Sequence, residues 1–483
     1  MDAKTLLYEQ LAEEMAGLIA SGVLQPGDRL PSVRRLSEQR RLSISTVLQA
    51  LRRLEDDGQI EARPQAGFYV KRRGPQLPEP AQTIGSPAST HVGVNHLLIE
   101  VLRANERPGV LPLGSAWPSS ELLPGKRIQR IVASVMRRRP QLLDRAGCSV
   151  GNDEQFVRKI VYRSLNWGGC ITPEEIVVTN SCTEALNLCL RAVASPGDTI
   201  VLESPTYFVL LQIIESLGMK ALEIPTHPRT GLSVEALELA TRNGQVQACL
   251  LIPNANNPLG CIMPEENKRR VAALLAERGV PLIEDDIYGE LHFEGERPWP
   301  IKAYDSTGNV MLCSSFSKTA SPVLRGGFVA AGRYQPKITL LKTLASGMTS
   351  LVPQAALAEF INVGGYDHHV RKLRRAFAQQ VATMSDAVTE YFPDGCLLSR
   401  PQGGFVLWVE LPEQVDTLAL HSLAIAEGIA FMPGQLFSAS GRYKNCLRLN
   451  CGNPWSKEIE NGVRRLGELA RRMAEHPAGA ADY

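Results

Sequence analysis

From about residue 95 onward, short apolar runs typical of buried strands alternate with amphipathic helical patterns. Such runs occur at residues 175–178, 199–202, 248–252, 281–283 and 310–313. This alternation predicts an α/β fold in which a mainly parallel sheet is covered by helices on both faces. Ligands of such sheets bind at the carboxyl ends of the strands, so the residues that follow each run are candidates for function.

The run at 310–313 is followed by a polar loop that contains Lys318, before a second strand-like run at 328–331. A lysine in this position can form a Schiff base with the carbonyl group of a cofactor. Ser315 and Arg325 in the same loop can bind a phosphate, the hydroxyl by a hydrogen bond and the guanidinium by a bidentate contact. Taken alone, the loop is equally compatible with a surface lysine beside a polar turn.

The other predicted strands also end in residues that could bind a ligand. Ser181 and Thr183 follow the run at 175–178, at a helix start where N–H groups and hydroxyls can hold an anion. The next three runs are followed by Tyr207, by Asn257, and by Asp285 with Tyr288. Each residue taken singly has a structural explanation as a helix cap, a packing residue or a turn residue. Their succession at five strand ends favours one shared site.

The chemistry of this set is that of pyridoxal phosphate. Asp285 is the candidate to face the pyridine nitrogen and keep it protonated, while Asn257 and Tyr288 can hydrogen-bond the 3-oxygen of the ring. Tyr207 can stack on the ring, and Lys318 can bond to the aldehyde. The candidates for the phosphate are Ser181, Thr183, Ser315 and Arg325, with Cys182 in the same turn.

The first 73 residues show a different pattern, with three short helical segments and then two strand-like runs. The third segment starts at Ser43, and Val47, Leu51 and Leu54 share one of its faces because successive residues rotate by about 100°. The other face carries Ser45, Gln49 and Arg52, which are residue types that read base edges in the major groove of DNA.

Residues 29–53 contain seven arginines, including Arg34 and Arg35, against a single acid, Glu38. A local excess of this kind suits a phosphate backbone. The strand-like runs at 59–63 and 68–70 indicate a hairpin wing around Gly67. A three-helix protein-interaction module is the alternative, but the polar face, the basic helix and the wing together favour double-stranded DNA.

The composition of the chain limits the number of domains and the classes of partner that we expect. The 483 residues, 44% of them hydrophobic, suffice for two or three domains, and a net charge of +2 predicts no general affinity for acidic partners. Ten cysteines show neither a CxxC pair nor a Cys/His cluster at zinc spacing, so no metal site is expected. No signal-like segment and no apolar run of about 20 residues is present, which predicts a cytoplasmic protein without a membrane span.

Residues 1–73 resemble the winged helix-turn-helix of the GntR superfamily. The residues that carry the resemblance are Leu24–Ser32, Arg34–Ser37, Ser45–Val47 and Leu54–Gly58. The resemblance implies that Arg34, Ser45, Thr46 and the wing at Gly67 contact DNA. Residues 74–94, rich in proline, then form a semi-extended linker without elements of its own.

Residues 95–483 resemble the fold type I aminotransferases of class I/II, which consist of a large domain and a smaller α+β domain. The most specific motifs are Asn257–Gly260, Asp285–Tyr288 and Ser315–Lys318 with Arg325. The resemblance implies pyridoxal phosphate in the roles given above, and Arg448 as the partner of a substrate carboxylate. The chain departs from the family at Cys182, where a glycine is usual, and between residues 143 and 151, where many members have a tyrosine.

A GntR-like module joined to an aminotransferase-like domain resembles the MocR-type regulators. The resemblance implies a homodimer that binds DNA and responds to an amino-containing small molecule. Two alternatives are a working aminotransferase with a DNA-binding module and a DNA-binding protein with a relic, cofactor-free domain. Retention of Lys318, Asp285, Asn257 and Tyr288 in one chain argues against the relic.

Overall fold

The computed structural model describes residues 6–21, 23–25, 27–56, 58–63, 67–71, 76–86, 88–144, 151–169, 171–362 and 365–476. The chain divides into two compact units. The N-terminal unit comprises Met1–Gln76 and Ala382–Glu390, and the C-terminal unit comprises Leu77–Val381 and Tyr391–Tyr483. Across the described ranges, no helix combines the length and the apolar character that a membrane crossing needs.

The α-helices in this part of the chain are α1 (Leu7–Ala20), α2 (Val33–Arg40), α3 (Ile44–Asp56), α4 (Asn95–Asn105), α5 (Gly125–Arg138), α6 (Glu154–Ser164), α7 (Cys182–Val193), α8 (Phe208–Ser216), α9 (Val234–Ala240), α10 (Glu265–Glu277), α11 (Gln335–Ser346), α12 (Leu351–Asn362), α13 (Gly365–Tyr391), α14 (Thr417–Ala426) and α15 (Lys457–Glu475). The strands are β1 (Ile60–Arg63), β2 (Gly67–Val70), β3 (Thr90–His91), β4 (Leu111–Pro112), β5 (Ile176–Thr179), β6 (Thr199–Ser204), β7 (Lys220–His227), β8 (Gly231–Leu232), β9 (Val246–Leu251), β10 (Leu282–Asp285), β11 (Val310–Ser315), β12 (Gly327–Ala330), β13 (Leu397–Leu398), β14 (Val406–Glu410), β15 (Ile429–Ala430), β16 (Met432–Pro433) and β17 (Cys446–Asn450).

The N-terminal unit contains α1, α2 and α3, followed by the hairpin of β1 and β2. The helix α3 begins at the predicted cap, where Ser43 Oγ accepts a hydrogen bond from Thr46 N over 3.1 Å. Its predicted inner face is confirmed, because Val47, Leu51 and Leu54 are buried in a core to which α1 and α2 also contribute. The three helices and the hairpin form the predicted winged helix-turn-helix.

The wing is an antiparallel hairpin in which Ile60 lies opposite Val70 and Arg63 lies opposite Gly67. Gly67 has a φ of 97°, a conformation that favours glycine at the start of β2. The predicted tip of the wing, residues 64–66, lies outside the described residues.

The C-terminal unit contains a large sheet with the strand order β3-β7-β6-β9-β10-β11-β12-β5, and β8 pairs with β7. The strands β7, β6, β9, β10 and β11 are parallel to one another, whereas β12 is antiparallel to both β11 and β5. The predicted mainly parallel sheet is therefore confirmed.

Helices cover both faces of this sheet. On β6, Ile200 and Leu202 pack in one apolar cluster with residues of α7 and α8, whereas Val201 packs in another with residues of α9 and α10. Side chains alternate between the faces of a strand, so a continuous apolar run is what two covered faces require.

A smaller sheet follows, with the order β13-β14-β17-β16 and antiparallel pairing throughout. Arg448 lies on β17, between Trp408 of β14 and Met432 of β16. This sheet and the flanking α14 and α15 correspond to the expected smaller α+β domain.

The proline-rich segment predicted as a semi-extended linker contacts the large sheet. Thr83 Oγ1 donates a hydrogen bond to Ser204 O over 2.5 Å and accepts one from Thr226 N over 2.8 Å. Ser86 N donates to Glu223 O over 2.8 Å, and β3 pairs with β7. The sequence does not predict this contact, because the partners of Thr83 are backbone groups of β6 and β7 more than 100 positions away.

Candidate functional site

Five predicted site residues follow strands whose carboxyl ends lie at one edge of the large sheet. Tyr207 follows β6, Asn257 follows β9, Asp285 ends β10 and Lys318 follows β11, and these four strands are neighbours. Ser181 follows β5, which has the same direction as β11 because both are antiparallel to β12. The sheet order thus brings residues from distant parts of the sequence to one edge.

Lys318 is buried, with 5% of its surface exposed. Its Nζ donates a hydrogen bond to Ala116 O over 2.5 Å and lies 3.3 Å from the centre of the Trp117 ring. Burial lowers the pKa of Lys318 to about 7, the positive charge of Arg448 acts in the same direction, and the charge of Asp285 opposes both. A substantial fraction of the amine is therefore neutral and nucleophilic near pH 7.

Asp285 is buried beside the first turn of α7. Its Oδ1 accepts a hydrogen bond from Cys182 Sγ over 3.4 Å and another from Ile287 N over 3.1 Å. Burial raises the pKa of Asp285 to about 6, while both hydrogen bonds lower it. Burial also raises the pKa of the Cys182 thiol, which therefore stays protonated and able to donate.

Arg448 is completely buried and is held by few polar contacts. Its Nη1 donates to Asn257 Oδ1 over 3.3 Å and its Nη2 donates to Gly114 O over 2.5 Å, while Nε has no hydrogen-bond partner in the described chain. The rings of Phe208 and Phe437 lie 5.7 and 5.4 Å from the guanidinium carbon. Among the described residues no carboxylate forms an ion pair with it, although a buried charge normally has one.

Asn257 and Tyr288 supply further hydrogen-bonding groups. Asn257 Nδ2 is buried and has no partner in the described residues. Burial raises the pKa of Tyr288 above its ordinary value, so its hydroxyl remains a donor. Tyr207 is half-buried, and the centre of its ring lies 4.8 Å from that of Phe208.

Of the residues predicted to bind a phosphate, Ser181 and Ser315 lie on segments that approach each other. Ser181 Oγ caps α7 by accepting a hydrogen bond from Glu184 N over 3.0 Å, and Ser315 Oγ accepts one from Ser317 N over 3.3 Å. Gly327 pairs with Ser315, and a Cβ on this glycine would lie 2.5 Å from the backbone carbon of Ser181. The backbones around Ser181 and Ser315 therefore meet at Gly327.

Two other members of this set are exposed. Thr183 lies in the first turn of α7 with its side chain exposed. Arg325 is also exposed, and its φ of 52° places a non-glycine residue in the left-handed region. Such a conformation is uncommon and concentrates at ligand-binding loops.

The predicted DNA-binding residues lie in the N-terminal unit. The exposed ones are Arg34 and Arg35 of α2, Ser45, Gln49 and Arg52 of α3, and Gly67 of the wing, while Thr46 is half-buried. The hydroxyls of Ser45 and Thr46 lie 2.8 and 2.7 Å from Ser43 Oγ, so both already have a local partner.

Two arginines of the basic stretch form ion pairs within this unit. Arg40 Nη2 lies 2.5 Å from Glu14 Oε1, and Arg53 Nη1 lies 3.0 Å from Glu9 Oε1. Their charges are partly compensated, which leaves Arg34, Arg35 and Arg52 as the better candidates for phosphates.

The sequence analysis did not identify the segment that covers Lys318 and Arg448. Ala116 and Trp117 contact the amine, and Gly114 contacts the guanidinium, from a loop about 200 positions before Lys318. The one available signal was Trp117 itself, which is followed directly by Pro118, Ser119 and Ser120. Residues 145–150, where the family tyrosine is missing, lie outside the described residues.

The side chains at this edge fit pyridoxal phosphate in number and kind. The buried amine of Lys318 suits the aldehyde, and the buried carboxylate of Asp285 suits the ring nitrogen. The unpartnered Asn257 Nδ2 and the Tyr288 hydroxyl suit the 3-oxygen, while the α7 amino terminus and Ser315 suit the phosphate. The unpartnered Nε of Arg448 remains for a carboxylate of a second molecule.

Comparisons with known proteins agree with this arrangement. A family profile described as "Aminotransferase class I and II" matches residues 166–466, and one described as "Bacterial regulatory proteins, gntR family" matches residues 7–70. The uncharacterized HTH-type transcriptional regulator YjiR of Escherichia coli is 38% identical over 97% of this chain and 99% of its own length. The probable rhizopine catabolism regulatory protein MocR of Rhizobium meliloti is 25% identical over 89% of this chain and 87% of its own length.

Among solved structures, the multiple substrate aminotransferase of Thermococcus profundus superimposes with a TM-score of 0.72 and 28% identity, over 78% of this chain and 95% of that one. Each half of the sequence thus matches a family, and YjiR and MocR align with this chain across both halves. The chain belongs to the MocR-type regulators of the GntR superfamily, in which a winged helix-turn-helix is joined to a class I and II aminotransferase domain.

Proposed function

We propose that this chain is a pyridoxal phosphate-dependent transcriptional regulator that senses a small molecule bearing both an amine and a carboxylate. Residues 1–73 bind double-stranded DNA, residues 74–94 link the domains, and residues 95–483 bind the cofactor and the effector. The chain acts as a homodimer, because paired winged helices suit paired half-sites on DNA.

The single observation that carries this proposal is Arg448, which is buried without a carboxylate partner among the described residues and close enough to Lys318 for its charge to lower the pKa of that amine. Nothing in the described protein neutralises Arg448, and two of its three nitrogens have only an amide or a carbonyl as partner. A bound carboxylate would supply the missing counter-charge and two hydrogen bonds. The nearby phenyl rings of Phe208 and Phe437 exclude water from the pair.

When bound, pyridoxal phosphate supplies an aldehyde that condenses with primary amines and a ring that withdraws electrons from them. Lys318 would hold the cofactor through its aldehyde, and burial lowers the pKa of this amine to about 7, so that much of it is neutral near pH 7. Asp285 keeps its negative charge near pH 7 and orients the ring through its nitrogen. Asn257 and Tyr288 donate hydrogen bonds to the ring oxygen, and Arg448 binds the carboxylate.

The absorption spectrum of the purified full-length protein tests the cofactor assignment. We expect added pyridoxal phosphate to produce the band of a lysine-bound cofactor in the parent protein and not in Lys318→Ala. A Lys318→Ala protein that still bonds covalently to the cofactor would contradict the assignment of Lys318.

Titration of the loaded protein with amino acids, and with the amines that remain after decarboxylation, tests the role of Arg448. We expect Arg448→Met to weaken spectral binding of the amino acids at least about tenfold, since hydrogen bonds to charged groups contribute about 1.5–3 kcal/mol. The decarboxylated amines should bind the parent and the variant equally. A uniform loss for both sets of ligands would contradict a carboxylate-binding role.

A working aminotransferase is the second candidate, favoured by the similarity to the Thermococcus profundus enzyme and by the complete set of ring-binding residues. The same titration separates the two functions. A spectral shift that persists indicates effector sensing, whereas a spectrum that an added keto acid restores over repeated cycles indicates transamination.

A further inference from the structure

The reactive amine of Lys318 is covered by one face of a tryptophan ring. The centre of the Trp117 ring lies 3.3 Å from Lys318 Nζ, and the carbonyl of the preceding residue, Ala116, accepts the hydrogen bond of this amine. Lys318 is 5% exposed, while Trp117 is 45% exposed. Trp117 thus lies between Lys318 and solvent.

The position of Trp117 is determined by its loop, which we call the strap (Leu113–Ser119). The strap is hydrogen-bonded to β17 at several points. Asn450 N donates to Leu113 O over 2.7 Å, and Asn450 Nδ2 donates to Ser115 Oγ and to Trp117 O over 2.9 and 3.2 Å. Arg448 Nη2 donates to Gly114 O. The strap therefore joins the strand that carries Arg448 to the amine of Lys318.

An aromatic face attracts an ammonium ion and does not attract a neutral amine to the same degree. Trp117 therefore favours the protonated form of Lys318. The other groups that act on this amine are Arg448, which disfavours the charged form, and Asp285 and Cys182, which favour it. Of these influences, the Trp117 ring can be altered by substitution without touching a charged residue.

The walls around Arg448 are also aromatic. Phe208 and Phe437 face its guanidinium, and Phe208 lies beside Tyr207. A ligand whose carboxylate meets Arg448 and whose amine reaches the position of Lys318 therefore lies beside these rings and Trp117.

We infer that Trp117 is a positioning residue for Lys318 and a specificity-determining residue for the effector, selecting amino acids with apolar or aromatic side chains. This inference rests on the proposed function. Its two parts have separate measurements, because the first concerns the lysine before any effector is present.

The first experiment follows the rate at which added pyridoxal phosphate bonds to Lys318, by absorption, as a function of pH in the full-length protein. Only the neutral amine reacts, so the midpoint of the profile reports the protonation of Lys318. Leucine keeps an apolar cover over the amine but removes the aromatic face, so we expect Trp117→Leu to move the midpoint down by about half to one pH unit and Trp117→Phe to move it less.

The matched control is Trp299→Leu, since Trp299 is 40% exposed and packs against Tyr304 instead of a site residue. Its profile should coincide with that of the parent. An unchanged midpoint in both Trp117 variants would overturn the positioning role. If the parent itself fails to bond the cofactor, the proposed function fails and not this inference alone.

The second experiment titrates the loaded proteins with phenylalanine, leucine and glutamate. The parent should prefer phenylalanine and leucine, and Trp117→Leu should reduce the preference for phenylalanine over glutamate by about fivefold, with Trp117→Phe intermediate. The same ratio in parent and variants, or a parent that prefers glutamate, would overturn the selectivity. Circular dichroism of each variant identifies any loss of folding. If Trp117→Leu does not fold, the conservative Trp117→Phe variant still tests the selectivity.

Discussion

The thiol of Cys182 donates a hydrogen bond over 3.4 Å to Oδ1 of Asp285, the carboxylate assigned to the ring nitrogen of the cofactor. Cys182 occupies the position at which the resemblance to the aminotransferases implies a glycine. The thiol therefore adds a donor to this carboxylate, and it does so from the first residue of α7, next to the turn proposed for the phosphate. This contact lowers the pKa of Asp285 against the effect of burial.

We expect Cys182→Ala to weaken the binding of pyridoxal phosphate by roughly two- to fivefold, because one hydrogen bond from a weak donor is lost. The loss should be larger near pH 6, where the ionisation of Asp285 is incomplete, than near pH 8. Cys182→Ser keeps a donor and should bind at least as tightly as the parent. Dissociation constants from absorption titrations at both pH values provide the measurement, and equal values for the Ala and Ser variants would refute the role of the thiol.

The buried carboxyl of Asp285 should make the cofactor-free protein less stable as pH rises. Burial raises its pKa from 3.8 to about 6, so the folded state binds the proton more tightly than the unfolded chain. Its contribution to stability is complete below about pH 3.8 and is lost as pH rises through about 6. We therefore expect Asp285→Asn to be more stable than the parent at pH 7, by on the order of 1–3 kcal/mol, in denaturant unfolding without cofactor.

The neighbouring Asp286 is the matched control, because its replacement by asparagine should lower the stability of the protein. It is buried and accepts hydrogen bonds from Arg297 Nη2 and, over 2.8 Å, from Asn254 Nδ2. Asp286→Asn leaves Arg297 with Glu290 as its remaining ion-pair partner, over 3.3 Å, and should destabilise the protein by about 1–3 kcal/mol. If Asp285→Asn and Asp286→Asn change the free energy of unfolding in the same direction, burial of the Asp285 charge does not explain the effect of its replacement.

The arginines of α2 should account for part of the salt dependence of DNA binding. Each phosphate contact contributes about 0.9 to the slope of log K against log salt concentration. We expect Arg34→Ala and Arg35→Ala each to reduce this slope by about 1, measured by fluorescence anisotropy of a labelled DNA duplex. Arg53→Ala is the control, because Arg53 is paired with Glu9 in the unbound protein. Equal slopes for all three variants would exclude α2 from the phosphate contact.

The contact of Thr83 with the sheet should contribute to the stability of the C-terminal unit. Thr83→Val keeps the shape of the side chain but removes the hydroxyl that donates to Ser204 O and accepts from Thr226 N. We expect a loss of about 1–3 kcal/mol in denaturant unfolding, because the buried groups are left without partners.

Thr90→Val serves as its control, since among the described residues the hydroxyl of Thr90 reaches only Ala88 O, over 3.5 Å. This variant should unfold like the parent. If it loses as much stability as Thr83→Val, a general effect of threonine replacement would be responsible.

Much of the site could be predicted from the sequence because its residues lie in motifs beside recognisable strands. Lys318, Asp285 and Asn257 each follow an apolar run, and parallel strands bring such positions to one edge of a sheet. The helix α3 was predictable for a similar reason, since its buried face repeats at helical spacing.

Contacts made by backbone carbonyls and by loops could not be predicted in this way. The strap reaches Lys318 and Arg448 through the carbonyls of Ala116 and Gly114, and a carbonyl is present at every residue. The contacts of Thr83 with β6 and β7 were equally unpredictable, because they also involve backbone groups.

The amino-acid sequence alone therefore determined the two-part architecture, the sheet and the residue types that a pyridine ring, an aldehyde and a phosphate require. Only the tertiary structure decided that Trp117 covers the amine, that Cys182 donates to Asp285 and that Arg448 is buried without a counter-ion among the described residues. The physical reason is that periodicity and local motifs report each element separately, whereas these contacts depend on how distant loops and strands pack together.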